Sequence, residues 1–214
     1  MKRVVYGFDD FGRKVPVGSY DDTTTKPVGG KIFYIDSSSD EEVIFYNAQG
    51  VVIPSVSVGD TPAYYYISNP GISGKDKYYI YDNATGLVNK PWGYYDITTG
   101  VNTDTIGSGK TNTAAILNIT DTSDYTTNSI FYYLSSTQNA GTGVNGCNDW
   151  FIGSKAELDA LRNSNLETWF TNYYIWSSVE YSATNAWGWH YVNQYWYYDN
   201  KYDTSFQCCF FRAF

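Results

Sequence analysis

The chain has 214 residues, of which 43% are hydrophobic and 19% aromatic, and it carries a net charge of −8. That length and apolar content permit a full core and exclude a disordered chain. The acidic balance lacks the basic footprint that a phosphate backbone or an anionic bilayer surface requires, which argues against nucleic-acid and membrane partners. Cys147, Cys208 and Cys209 form an odd set with one adjacent pair, so neither a disulfide framework nor a zinc site is legible. Tyrosine is the outlier, with 23 copies beside 7 tryptophans. Such residues suit both binding surfaces and strands, and composition alone leaves both readings open.

Residues 1–25 are polar, with Asp9-Asp10, Asp21-Asp22 and a threonine run, and read as an irregular arm or attachment segment. Asp9-Asp10 also cuts short the apolar run that a signal peptide needs. Residues 26–214 read as one domain. Val28-Gly29-Gly30 leads into a strand over Lys31–Ile35. Val43–Tyr46 and Val51–Ile53 form a hairpin across Asn47-Ala48-Gln49-Gly50, and Tyr64–Ile67 and Tyr78–Tyr81 alternate as two further strands. Asn112–Ile119 is a candidate helix. Ser154-Lys155-Ala156-Glu157 is a clearer helix start, because serine with glutamate three residues on forms a capping box, with Leu158 and Leu161 on one face. The longest apolar runs, including Ile130–Leu134, are strand-sized, so no membrane span is expected. Beyond Trp169 the pattern becomes short aromatic strands and polar loops.

Few motifs suggest chemistry. Gly107-Ser108-Gly109-Lys110-Thr111 has the tail of a phosphate-binding loop, but Asp104 stands where that loop needs glycine, and no buried strand precedes it. His190 is the only histidine, and no nucleophile is recognisably paired with it. The acidic pairs sit in polar turns and read as solvated faces. Asn148-Asp149 offers oxygen ligands for calcium, yet the remaining ligands cannot be assembled, and a turn leading into a buried Trp150 is the simpler account. No enzyme, metal or cofactor is expected.

The Trp169–Phe214 tract stands apart. Tyr173, Tyr174, Trp176, Tyr181, Trp187, Trp189, Tyr191, Tyr195, Trp196, Tyr197, Tyr198 and Tyr202 crowd it, interspersed with Asn, Asp, Ser and Thr and with only Ile175, Val179 and Val192 as aliphatics. Tyrosine with small polar residues and few aliphatics has the composition of a paratope rather than of a core. Trp176, Trp187 and Phe214 are expected to be buried, and the 188–206 set exposed.

Five segments in order resemble the DUF1566-type C-type-lectin-like domain of bacteria and phages. They are Val28–Asp36, Gly107–Leu117, Asp149–Leu158 (similar to its Asp-Trp-x-Leu-Pro-Ser-x-x-Glu-Leu motif, with Gly153 for the proline), Tyr174–Glu180 and Arg212-Ala213-Phe214. The resemblance implies an α+β fold with few helices, much irregular loop and a short twisted antiparallel sheet, its C-terminus anchored near the first strand. Members of this type include the variable proteins of diversity-generating retroelements, in which AAY codons are randomised to NNY. Gly188, His190, Val192, Asn193, Tyr195, Tyr197, Tyr198, Asp199, Asn200, Tyr202, Asp203, Thr204, Ser205, Phe206, Cys208 and Cys209 all belong to the NNY set, and Trp187, Trp189, Gln194, Lys201 and Arg212 read as fixed positions between them.

On that resemblance the variable region is about 173–209. Ligand contacts are expected from Tyr173, Tyr174, Gly188, His190, Val192, Asn193, Tyr195, Trp196, Tyr197, Tyr198, Asp199, Asn200, Tyr202, Asp203, Thr204 and Phe206. Trp176, Ser177, Glu180, Trp187 and the 149–161 helix would hold the loops in place. The expected function is that of a phage receptor-binding, host-tropism protein on a virion, with a bacterial surface adhesin or a lectin-like carbohydrate-binding domain as the alternatives. The expected partner is a cell-surface protein or glycan receptor, and avidity would favour a homo-oligomer.

Overall fold

The computed structural model describes the backbone of residues 2–8, 14–21, 25–82, 88–121, 123–139, 143–166, 174–191 and 193–214, with side chains from residue 25 onward except 124, 125 and 139. In chain order the strands and helices begin with β1 (Lys2–Phe8) and β2 (Lys14–Asp21), followed by β3 (Lys26–Pro27), β4 (Lys31–Ile35), β5 (Glu42–Tyr46), β6 (Val52–Ile53), β7 (Tyr64–Asn69), β8 (Tyr78–Tyr81) and β9 (Val88–Asn89). Three helices follow, α1 (Ser108–Leu117), α2 (Asp124–Thr127) and α3 (Ile130–Asn139). The chain then runs through β10 (Phe151–Ile152), α4 (Lys155–Asn163), β11 (Tyr174–Glu180), β12 (Asn185–His190), β13 (Tyr195–Asn200), β14 (Gln207–Cys208) and β15 (Phe210–Ala213). The class is α+β, as the sequence implies.

The arm is not irregular throughout. β1 and β2 pair antiparallel into their own two-stranded sheet. Val4, Val5, Val15 and Val17 supply the β-branched residues for it, and the surrounding charges mask them in a composition-based reading.

The remaining strands make three sheets, ordered β3-β7-β5-β6, β10-β15-β8-β4 and β13-β12-β11-β14-β9. All named strand pairs are antiparallel except β11 with β14. The hairpin expected across Asn47–Gly50 is present as β5 and β6. The closing strand β15 lies between β8 and β10, one strand from β4. Phe214 receives backbone hydrogen bonds from Lys77 and Tyr78 and stacks on Tyr65 with centroids 3.6 Å apart.

Arg212 fastens this closure. Its Nε and Nη2 donate to the two carboxylate oxygens of Asp149 at 2.6 and 2.8 Å, and its Nη1 donates to Pro27 O and Val28 O, both at 2.7 Å. A planar guanidinium is the side chain that can serve a carboxylate and two carbonyls together. Asp149 is therefore an ion-pair partner of Arg212, and Trp150 beside it is buried, as the simpler reading held.

The helix expected over Asn112–Ile119 begins earlier, at Ser108. The apolar run Ile130–Leu134 opens a helix, not a strand. Ile130, Phe131 and Leu134 are all fully buried, and their i, i+1, i+4 spacing selects one helical face. Helix α4 starts as predicted, with both halves of the Ser154–Glu157 capping box formed.

Glu157 also explains the false phosphate loop. Its carboxylate accepts from Ser154 N at 2.7 Å and from Gly107 N at 2.9 Å, so the anion received by the first turn of α1 is a side chain of α4. A Cβ on Gly109 would stand 2.2 Å from Glu157 Oε2, which is why glycine is needed there. Burial pushes the Glu157 pKa up to about 7, against the lowering effect of these N–H donors. An acid raised in the folded state contributes stability that is complete below its unfolded pKa of 4.5 and is lost as pH rises through about 7. We expect unfolding free energy to fall by about 3 kcal/mol across that window from this group. Urea titrations from pH 4.5 to 7.5 should show that slope in the native protein and not in Glu157→Gln; parallel profiles would refute it.

Candidate ligand-contact face

The site is the antiparallel ladder β11-β12-β13, with β13 at the outer edge of its sheet. Strand residues alternate between faces, so cross-strand partners share a face. Tyr197 opposes Gly188, and Tyr195 opposes His190. Trp196 and Tyr198 lie on the other face, opposite Trp189 and Trp187. The aromatic tract is therefore divided into two surfaces by the pleat.

The tryptophan face rests on α4. Lys155 Nζ lies 4.2 Å from the ring centroid of Trp187 and 5.0 Å from that of Trp196, and the Arg162 guanidinium lies 4.7 Å from that of Trp189. Trp196 Nε1 donates to Asp159 Oδ2 at 3.3 Å. These contacts hold the hairpin at a fixed angle to the helix. Trp187 is thereby half-buried rather than buried as expected, its neighbours being the Lys155 ammonium group and the exposed Tyr181, 5.1 Å away edge-on.

The exposed rings are Tyr181, Tyr195, Tyr197, Tyr198 and Tyr202, at 49, 43, 39, 42 and 46% exposure. Tyr181 stacks on Tyr198 at 3.9 Å, and Tyr95 meets Tyr202 at 5.1 Å. Asn193, Thr204 and Ser205 are exposed around them, while Tyr174, Trp196, Asp199, Asn200 and Asp203 are half-buried. The sequence reading did not place Tyr181 or Tyr95 among the contact residues. Tyr181 belongs to the aromatic tract, but Tyr95 carries no local signal.

Trp189 and Lys201, of the 188–206 set expected at the surface, are buried against α4 and Glu180, and three more of that set are buried as well. Phe206 is fully enclosed and stacks on Trp176 at 3.7 Å, with Tyr174 at 4.8 Å. Gly188 is covered by Phe206, whose Cε1 would stand 2.3 Å from a Cβ at that position. His190 packs edge-on to Tyr174 at 4.5 Å, and its Nδ1 accepts from Asn193 N at 3.2 Å, which makes it part of the β12–β13 turn. Their burial follows from β14, which returns beside β11 and draws the preceding Phe206 under the sheet. Tyr173 and Val192 lie outside the described residues.

Of the expected supporting residues, Trp176, Ser177 and Glu180 are buried, whereas the helix expected over 149–161 begins only at Lys155, with Phe151 and Ile152 forming β10. Trp176 Nε1 donates to Lys90 O at 3.1 Å, and Ser177 Oγ donates to Trp187 O at 2.9 Å. Glu180 accepts from Thr99 N and Gly100 N, both at 2.9 Å, and from Lys201 Nζ at 2.6 Å. All three cysteines are buried, and burial pushes their thiols up, Cys147 to about 11 and Cys208 and Cys209 further. Such thiols are poor nucleophiles at neutral pH. Among the described residues no helix is long and apolar enough to cross a membrane.

Comparison of the chain with family models, curated proteins and solved structures finds no match.

Proposed function

We propose that the chain is a ligand-binding protein on a C-type-lectin-like scaffold, a phage receptor-binding protein whose aromatic face is diversified by a retroelement. The observation that carries this reading is the sorting of residue types by exposure. Tyr195, Tyr197, Tyr198, Tyr202, Asn193, Thr204 and Ser205 all belong to the NNY codon set, and all are exposed. Of the residue types that NNY cannot encode, Trp189 and Lys201 are buried, Trp187 and Trp196 are half-buried, and Gln194, in the β12–β13 turn, is exposed.

A rigid base with replaceable tips is what a variable binder requires. Tyrosines supply contact area at low entropic cost, and the neighbouring amides and hydroxyls supply hydrogen bonds. Gly188, His190, Phe206, Cys208 and Cys209 are in the codon set but buried. The diversifiable set is accordingly narrower than the codon pattern and centres on 193–205.

The deciding experiment is sequencing of the locus across a population of the source organism. A near-copy of the 173–209 segment beside a reverse transcriptase, with substitutions concentrated at the exposed positions, is the expected result. A uniform segment with neither neighbour would overturn diversification and leave a surface adhesin or a lectin-like carbohydrate-binding domain. The same sorting has a stability consequence. Tyr195→Ser and Tyr197→Ser should each change unfolding free energy by about 0.5 kcal/mol or less in urea titrations, as for surface positions generally.

A further inference from the structure

We infer that the partner includes an extended, basic polypeptide segment that adds as a strand to the outer edge of β13. This deepens the binding reading above and rests on it. Lys201 N donates to Thr184 O at 2.9 Å, which makes 184 and 201 a hydrogen-bonded pair of the ladder. Pairing continues in register through Asn185↔Asn200 to His190↔Tyr195. Hydrogen-bonded and non-bonded pairs alternate along an antiparallel ladder. The N–H and C=O groups of residues 195, 197 and 199 therefore face β12, and those of Trp196, Tyr198 and Asn200 face away from it. Asn200 N is taken by Asp199 Oδ1 at 2.6 Å. Trp196 and Tyr198 each present a donor and an acceptor outward, and no described strand pairs with that side.

Sheet edges are ordinarily blunted by lysine, proline or a bulge. β13 reads Tyr-Trp-Tyr-Tyr-Asp-Asn and its register with β12 is uninterrupted, so it has none of these guards. Alternating outward amides are complementary to an extended backbone. The charge at this edge selects the occupant. Asp199 and Asp203 lie at its end, and the chain carries −8 overall. Lysine or arginine side chains of an added strand would lie against the faces of Tyr195, Tyr197 and Tyr198, where cations are attracted. A second copy of this chain would instead bring like charge together across a contact of six residues per side, too short for the roughly 1,000 Å² a stable interface needs.

The test is selection of binders from a displayed random dodecapeptide library against the whole chain, followed by titration of the selected peptides. Basic peptides should be enriched, and N-methylation at alternate residues should weaken them about tenfold or more, the loss expected for a backbone hydrogen bond. Tyr198→Pro should produce a similar loss, because it removes an outward N–H without touching the β12 ladder, whereas Tyr198→Ala should weaken binding less. Circular dichroism of the proline variant checks that it folds, and the N-methylated peptides test the point without altering the protein. Peptides that bind through the tyrosines but tolerate N-methylation would overturn strand addition and leave the binding face intact. Failure to enrich any basic peptide, or concentration-dependent dimerisation abolished by Tyr198→Pro, would also overturn it.

Discussion

Truncation of Phe206 to alanine is expected to lower the unfolding free energy by about 4 kcal/mol, the range for removal of a buried phenylalanine. Its ring is fully enclosed and lies 3.7 Å from Trp176 in near-parallel stacking, with Tyr174 on a second side and the bare backbone of Gly188 beneath. No other side chain can fill that volume without moving a strand, so a cavity would persist. Gly188→Ala approaches the same contact from the other side. Its methyl would meet Phe206 Cε1 at 2.3 Å, and overpacking of this kind costs about 1–3 kcal/mol.

The two changes should be strongly non-additive, because removing the ring removes the clash. Chemical denaturation of the two single variants and the double variant measures this directly. A double variant as unstable as the sum of the singles would mean that the ring does not lie over Gly188. The result bears on the site as well. If residues 188 and 206 are held by packing, population sequences should vary between them and not at them.

The sequence betrays the scaffold better than the face. The capping box at Ser154 and Glu157 is a local device, satisfied within one turn, and it is found where it was read. The strands over Lys31–Ile35 and Tyr78–Tyr81 are likewise each legible from one short segment and are found where expected. Ile130–Leu134 misled because five apolar residues in a row fit a buried strand and a helix equally well, and only packing of Ile130, Phe131 and Leu134 decides.

The aromatic tract misled for a different reason. Tyr, Trp and Phe alternate there with polar residues on both faces, and nothing local states which face meets α4. Phe206 is buried because β14, whose pairing with β11 no sequence period announces, joins the sheet beside β11 and brings the preceding residue against Trp176. The partner of Glu157 at Gly107, 50 residues away, is equally silent in the sequence. The glycine pattern was visible, but its anion is another helix's side chain.

Replacement of Lys201 by methionine is expected to cost about 3–5 kcal/mol, the penalty for removing one member of a buried ion pair. Lysine is almost never fully buried, yet Lys201 is, with Glu180 close to it in burial. Nζ donates to Glu180 Oε1 at 2.6 Å and to Ile97 O at 2.8 Å, and it lies 4.8 Å from the Trp92 ring centroid. Methionine would fill most of the volume but leave the Glu180 carboxylate with only the Thr99 and Gly100 N–H groups.

Most of the loss is thus the cost of an uncompensated charge, so Lys201→Met combined with Glu180→Gln should recover part of it. A coupling of at least about 1 kcal/mol in the double-mutant cycle is expected. The same pair anchors the end of β13 to the 97–100 loop, immediately before Tyr202, Asp203 and Thr204. Amide exchange at 202–205 should therefore quicken in Lys201→Met while β11 stays protected. Additive energies with unchanged exchange would show that the pair is a passive filler and that the face is held by the tryptophans against α4 alone.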